Sequence, residues 1–136
     1  MTKEFLKEHI DKLKEKKQLE DEIDALYIMM KSPVITGMPG RHSSNKDKVG
    51  DVVARLEEKE ARYLGKLAVI LDEEIIIDNA IETLSISKER TVMRYRYIEG
   101  CKWEEICVKA NYSWKQLHRI HSDALKKLKI IKDDIE

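Results

Sequence analysis

"WEEICVKANYSWKQLHRI" (residues 103–120) is the stretch whose spacing decides the fold. Trp103 and Ile106 face one side of a first short helix. Cys107 is small and apolar, where two crossing helices must come close, and Ala110 is apolar again. Asn111 adopts positive φ at little cost, which a tight inter-helix turn needs. Ser113 is a good N-cap for the next helix, and Leu117 and Ile120 return to the core. Apolar, small, apolar, turn residue and capped second helix together make the helix-turn-helix pattern.

Outward from this pair, the spacing predicts a helix from Ser87, as its cap, to about Ile98. Val92, Met93, Tyr95 and Tyr97 are available for packing, and Gly100 is placed to end the helix. The two helices of the pattern should span 102–110 and 113–132. Upstream lies a long helix, about 46–83. In it Val49, Leu56, Tyr63, Ile70, Ile77 and Leu84 recur every seven residues, and Val53, Leu67 and Ile81 widen the stripe. Such a repeat signals a coiled-coil-like seam. Lys59, Glu60, Lys66, Glu73 and Glu74 fall near the seam and should weaken it. Gly50 and Gly65 each cost this helix roughly 1 kcal/mol relative to Ala.

A first helix reads from 3 to 30, with stripes Leu6, Ile10, Leu13 and Leu19, Ile23, Leu26, Met30. The step from 13 to 19 breaks their phase, and "KEKK" (14–17) fills the break. Between the long helices lies the linker "SPVITGMPGRHSSN" (32–45), where Ser44 and Asp47 resemble a capping box. The expected fold is all-α. A long N-terminal antiparallel helical hairpin (1–84) serves oligomerisation or partner binding, and a helix-turn-helix domain (85–136) follows.

Composition agrees with helices. Charged residues make up 38% and aromatics 6%, with five glycines and two prolines, too few for the many tight turns of a β protein. No apolar run approaches the roughly 18 residues of a membrane span, and Met1 to Leu13 is too polar for a secretory signal. Cys101 and Cys107 match neither a redox motif nor a zinc site, so reduced thiols in a bacterial cytoplasm are expected. The net charge is zero, yet residues 1–87 hold 14 Lys/Arg against 18 Asp/Glu, and residues 88–132 hold 12 against 5. The C-terminal module is therefore basic and would draw a polyanion to one end of the chain.

The last helix then reads as a groove-binding helix, with double-stranded DNA as the expected partner. Its exposed positions are Trp114, Lys115, Gln116, His118, Arg119, His121 and Ser122. Arg119 and Lys115 suit guanine, Gln116 suits adenine, and His118 suits phosphate or base. Lys102, Lys126, Lys127 and Lys129 suit phosphate contacts, and Ser113 sits at the cap beside them. His118 and His121 lack a nearby third ligand, so no metal is expected, and no cofactor either. "GMPGRHSS" (37–44) lacks the spacing of a nucleotide-binding loop. It reads as a plain hairpin connection or as a DNA clamp using Arg41, His42, Lys46 and Lys48. No nucleophile has a base and an orienting partner at recognisable spacing, so an enzyme is not expected.

Residues 88–129, with Ser113, Leu117, Ile120 and "ALKKL" (124–128), resemble sigma-70 region 4. The family's reading positions fall here on Trp114, Lys115, His118 and Arg119. Its usual Arg, Glu, Arg and Gln stand at none of them, so the resemblance covers the scaffold and not the −35 reading surface. "SPVITGMPG" (32–40), "RYRYIEGCKWEEI" (94–106) and "NYSWKQLHRIHSDAL" (111–125) resemble small phage and prophage regulators of Gram-positive bacteria, of the ArpU, RinA and LtrC types. That resemblance implies a regulator of late genes. A single helix-turn-helix module buries limited area, so a homodimer with two half-sites is expected, the helical N-terminal part dimerising or contacting RNA polymerase. The competing expectations are a small terminase-like packaging protein and a polymerase-binding adaptor that leaves DNA alone.

Overall fold

The computed structural model describes residues 1–31 and 42–128 of the 136, with residues 42–47 in backbone alone. The expected roles of Arg41, His42, Lys46 and Lys129, and the continuation of the last helix to 132, lie outside the described residues. Regular structure there is all helical: α1 (Lys3–Met30), α2 (His42–Glu82), α3 (Ser87–Tyr97), α4 (Trp103–Ala110) and α5 (Trp114–Lys127). None of these helices is long and apolar enough to cross a membrane.

Two starts differ from expectation. α2 begins at His42, so Ser44 lies within its first turn and does not cap it. α3 begins at Ser87 with Ile86 as its N-cap, and no side chain caps it. The Ile86 carbonyl accepts instead from the Glu89 and Arg90 amides at 3.1 and 3.2 Å, which leaves Ser87 no capping role.

Residues 15–68 form one compact unit, a pair of helical segments. Leu26, Val52 and Leu56 are buried together, with Ile23, Met30 and Val49 against them. Cross-helix contacts descend along α1 as they ascend along α2, so the segments are antiparallel. Lys59 meets Glu22 at 2.7 Å, the Tyr63 hydroxyl donates to Glu20 at 2.8 Å, and Lys66 meets Glu15 at 3.1 Å. The lysines expected to weaken the seam thus close its edges with ion pairs, each worth under about 1 kcal/mol at the surface. Val52 is buried, whereas its neighbour Val53, expected to widen the stripe, is half-buried.

Residues 1–14 and 69–136 form the other unit. Leu6 and Ile10 of α1 share a core with Ile77 and Ile81 of α2, Leu84 just after it, Met93 and Tyr97 of α3, and Ala124 and Leu125 of α5. The expected boundary between 84 and 85 therefore runs through a common core, because the N-terminal end of α1 and the C-terminal end of α2 bury apolar surface against α3 and α5. On α1 the division between units falls beside the "KEKK" phase break instead.

A fully buried histidine, His9, fastens this unit. Its Nε2 lies 2.9 Å from the Tyr97 carbonyl and its Nδ1 lies 2.8 Å from Glu73. A carbonyl can only accept, so the Nε2 N–H donates to it. Lys12 pairs with the same carboxylate. Burial pushes Glu73 upward, but the hydrogen bonds from Lys12 and His9 outweigh it and hold the carboxyl below the usual glutamate range. Gly100 ends α3's exit at φ +72°, and a Cβ there would meet Leu13 Cδ1 at 3.3 Å.

Candidate nucleic-acid interface

α4 and α5 pack through a second apolar cluster of Val92, Cys101, Ile106 and Leu117, with Trp103, Cys107, Ala110 and Ile120 partly buried against it. α4 starts at Lys102, whose amide donates to the Glu105 carboxylate at 2.9 Å. It ends at Asn111, at φ 57° and ψ 48°, the left-handed conformation that asparagine tolerates. Ser113 then caps α5, its Oγ accepting from the Gln116 amide at 3.1 Å. The seryl oxygen is thus committed to holding the helix start.

Fixing α5 by Leu117, Ala124 and Leu125 determines what points away. Lys115, Arg119, Ser122 and Lys126 follow one another at intervals of four, three and four, so they form one outward stripe. All four are exposed, and the three cations have no ion-pair partner among the described residues. Lys127 differs. It binds both oxygens of Glu89 at 3.0 and 2.8 Å, and Glu89 is 4% exposed. Its expected phosphate contact is corrected on that ground, since leaving Glu89 would strand a buried carboxylate.

Two histidines also depart from expectation. His118 lies between the Trp114 ring at 4.4 Å and the Trp103 ring at 4.8 Å, and its Nε2 is buried without a partner. It is a spacer in an aromatic stack and not an outward reader. Trp114, 53% exposed, caps that stack. His121 is held edge-on to Trp103 at 4.7 Å and accepts from the Tyr97 hydroxyl at 2.8 Å. Burial, with the charges of His118, Arg96 and Lys3, lowers its pKa to about 4, and burial raises that of Tyr97 to about 12. The pair is neutral near pH 7, with the phenol as donor.

Of the sequence-derived candidates, the structure groups Lys115, Arg119, Ser122 and Lys126 on one face, with Gln116 half-buried beside them and Trp114 at the helix start. Lys102 is exposed at the start of α4, on a different helix. Sequence reasoning missed Arg96, whose guanidinium lies 4.5 Å from the Trp103 ring centre, and the Tyr97–His121 bond. "RYRY" (94–97) carried the signal, as two arginines separated by one residue cannot share a helix face. Comparison with family models, curated proteins and solved structures gives no match.

Proposed function

We propose that the chain is a DNA-binding transcription regulator of the phage type, with α4 and α5 acting as a helix-turn-helix and α5 entering the major groove. The observation that carries this reading is the stripe of Lys115, Arg119, Ser122 and Lys126, in which three cations without an ion-pair partner among the described residues stand on the outward face of an anchored helix. Cations without counter-ions cost the fold through mutual repulsion and suit a polyanionic partner. A rigid outward helix offers them in the register that base edges in the groove require. Late genes are the targets that the resemblance to phage regulators implies.

A second copy of the chain is the proposed partner. Leu71 and Ile75, four residues apart on one face of α2, are 50% and 61% exposed, an apolar strip of the kind that a partner helix covers. Dimerisation would also supply two recognition helices for two half-sites.

Arg119→Ala tests the reading on a duplex that the parent protein selects from a random-sequence pool. Affinity should fall by about 1–3 kcal/mol and discrimination at one base pair should relax. A variant that binds like the parent would show that α5 does not lie in the groove as proposed.

A further inference from the structure

A cavity of about 340 Å³ opens between the N-terminal part of α1 and helices α3 to α5. Lys3, Lys7 and Lys14 line its α1 side. Spacings of four and seven residues place them within about 40° of one another around the helix, so they form a single edge. None has an ion-pair partner among the described residues. Arg96 lines the other side, stacked on Trp103 and donating to the Cys101 carbonyl at 3.0 Å, with its Nε buried and unpartnered. Its neighbour in sequence, Arg94, is neutralised by Asp78 and Glu82. Arg96 meets no carboxylate among the described residues. Among the lining residues Asp11 is the sole acid, so four cations face one carboxylate.

Two features select the occupant. The α1 lysines extend over about 16 Å of helix, further than a small anion reaches, whereas one strand of a duplex offers a phosphate every ~3.4 Å of axis. The groove also adjoins the proposed recognition surface. Its wall residues Trp103 and His121 stand next to Lys102 and Ser122 in sequence, and the His118 ring joins Trp103 to Trp114.

We propose that this groove seats the sugar-phosphate backbone of the same duplex whose major groove takes α5, with Lys3, Lys7, Lys14 and Arg96 as phosphate ligands. The proposal rests on the DNA-binding reading. It gives the first turns of the N-terminal helix a direct part in binding, in addition to their part in the core.

The test uses the full chain and a mixed-sequence duplex of about 30 base pairs, with binding measured by fluorescence anisotropy across a salt series. The variant Lys3→Gln/Lys7→Gln/Lys14→Gln is compared with Lys16→Gln/Lys17→Gln/Arg55→Gln, which removes equal charge at residues that do not line the groove, and with Arg119→Ala. Circular dichroism checks that each is folded, as expected for changes at mostly exposed lysines. The groove variant should lose about tenfold or more in affinity, and its log–log salt slope should shrink by about 2–3, while the control variant changes little. Equal behaviour of the groove and control variants would overturn the proposal, and if Arg119→Ala still weakened binding the DNA reading would stand. No binding by the parent at low salt would overturn both.

Discussion

The Tyr97 hydroxyl donates to a histidine that burial keeps neutral, and this bond ties stability to pH in a defined direction. An unfolded His121 takes up a proton as pH falls below 6.5, whereas the folded ring resists until about 4. The folded pKa is lowered, so stability from this site is fully present above pH 6.5 and is lost as pH falls towards 4. The linkage amounts to roughly 3 kcal/mol at most, as the ring retains some solvent contact. Urea unfolding from pH 8 to 4 should show the parent losing stability more steeply than His121→Asn, which cannot titrate there. Equal slopes would place the neutral histidine wrongly. Glu73, with its lowered pKa, adds a separate loss at the acid end of this range. The same logic of compensation separates Lys127, held by buried Glu89, from Lys126, one residue away and without an ion-pair partner among the described residues.

At the scale of elements, local chemistry made much of the fold legible. Asn111 and Ser113 carry the turn and the cap because each solves a backbone problem by itself: a left-handed residue and an orphan amide. Asn111→Gly should therefore leave stability nearly unchanged and Asn111→Ala should cost about 1 kcal/mol, read by thermal unfolding. In α2, a Cβ added at Gly50 or Gly65 would meet nothing within 4 Å. Gly50→Ala and Gly65→Ala should each raise stability by about 0.5–1 kcal/mol. A loss would mean that one of these glycines makes a close contact with a partner. The seven-residue repeat located α2's buried edge at Leu56, Ile70 and Ile77, and buried Leu84 just beyond its end, because one helix face needs only periodicity to be seen. Long-range pairing was not legible. Nothing near His9 in sequence announces Glu73 or the Tyr97 carbonyl, and nothing near Lys127 announces Glu89. His118 and His121 read as outward because their spacing leaves them at the edge of the apolar stripe, where only the neighbouring Trp103 decides which way they turn. The boundary at 84 failed for a related reason. A change of pattern marks the end of a helix, not the limit of a core.

At the scale of the whole molecule, the reading depends on assembly and on DNA. Exposed Leu71 and Ile75 lead to the expectation that sedimentation of the parent gives a dimer mass and that Leu71→Glu/Ile75→Glu gives a monomer of unchanged helicity. A parent that sediments as a monomer at all concentrations would remove the second copy from the account. DNA recognition is what everything else rests on, and repeated selection of duplexes from a random-sequence pool by the 136-residue chain tests it without intermediaries. The account predicts enrichment of one motif with two related half-sites about one helical turn apart, or a multiple of it, and loss of that enrichment in Arg119→Ala. A pool that emerges without a shared motif would contradict it.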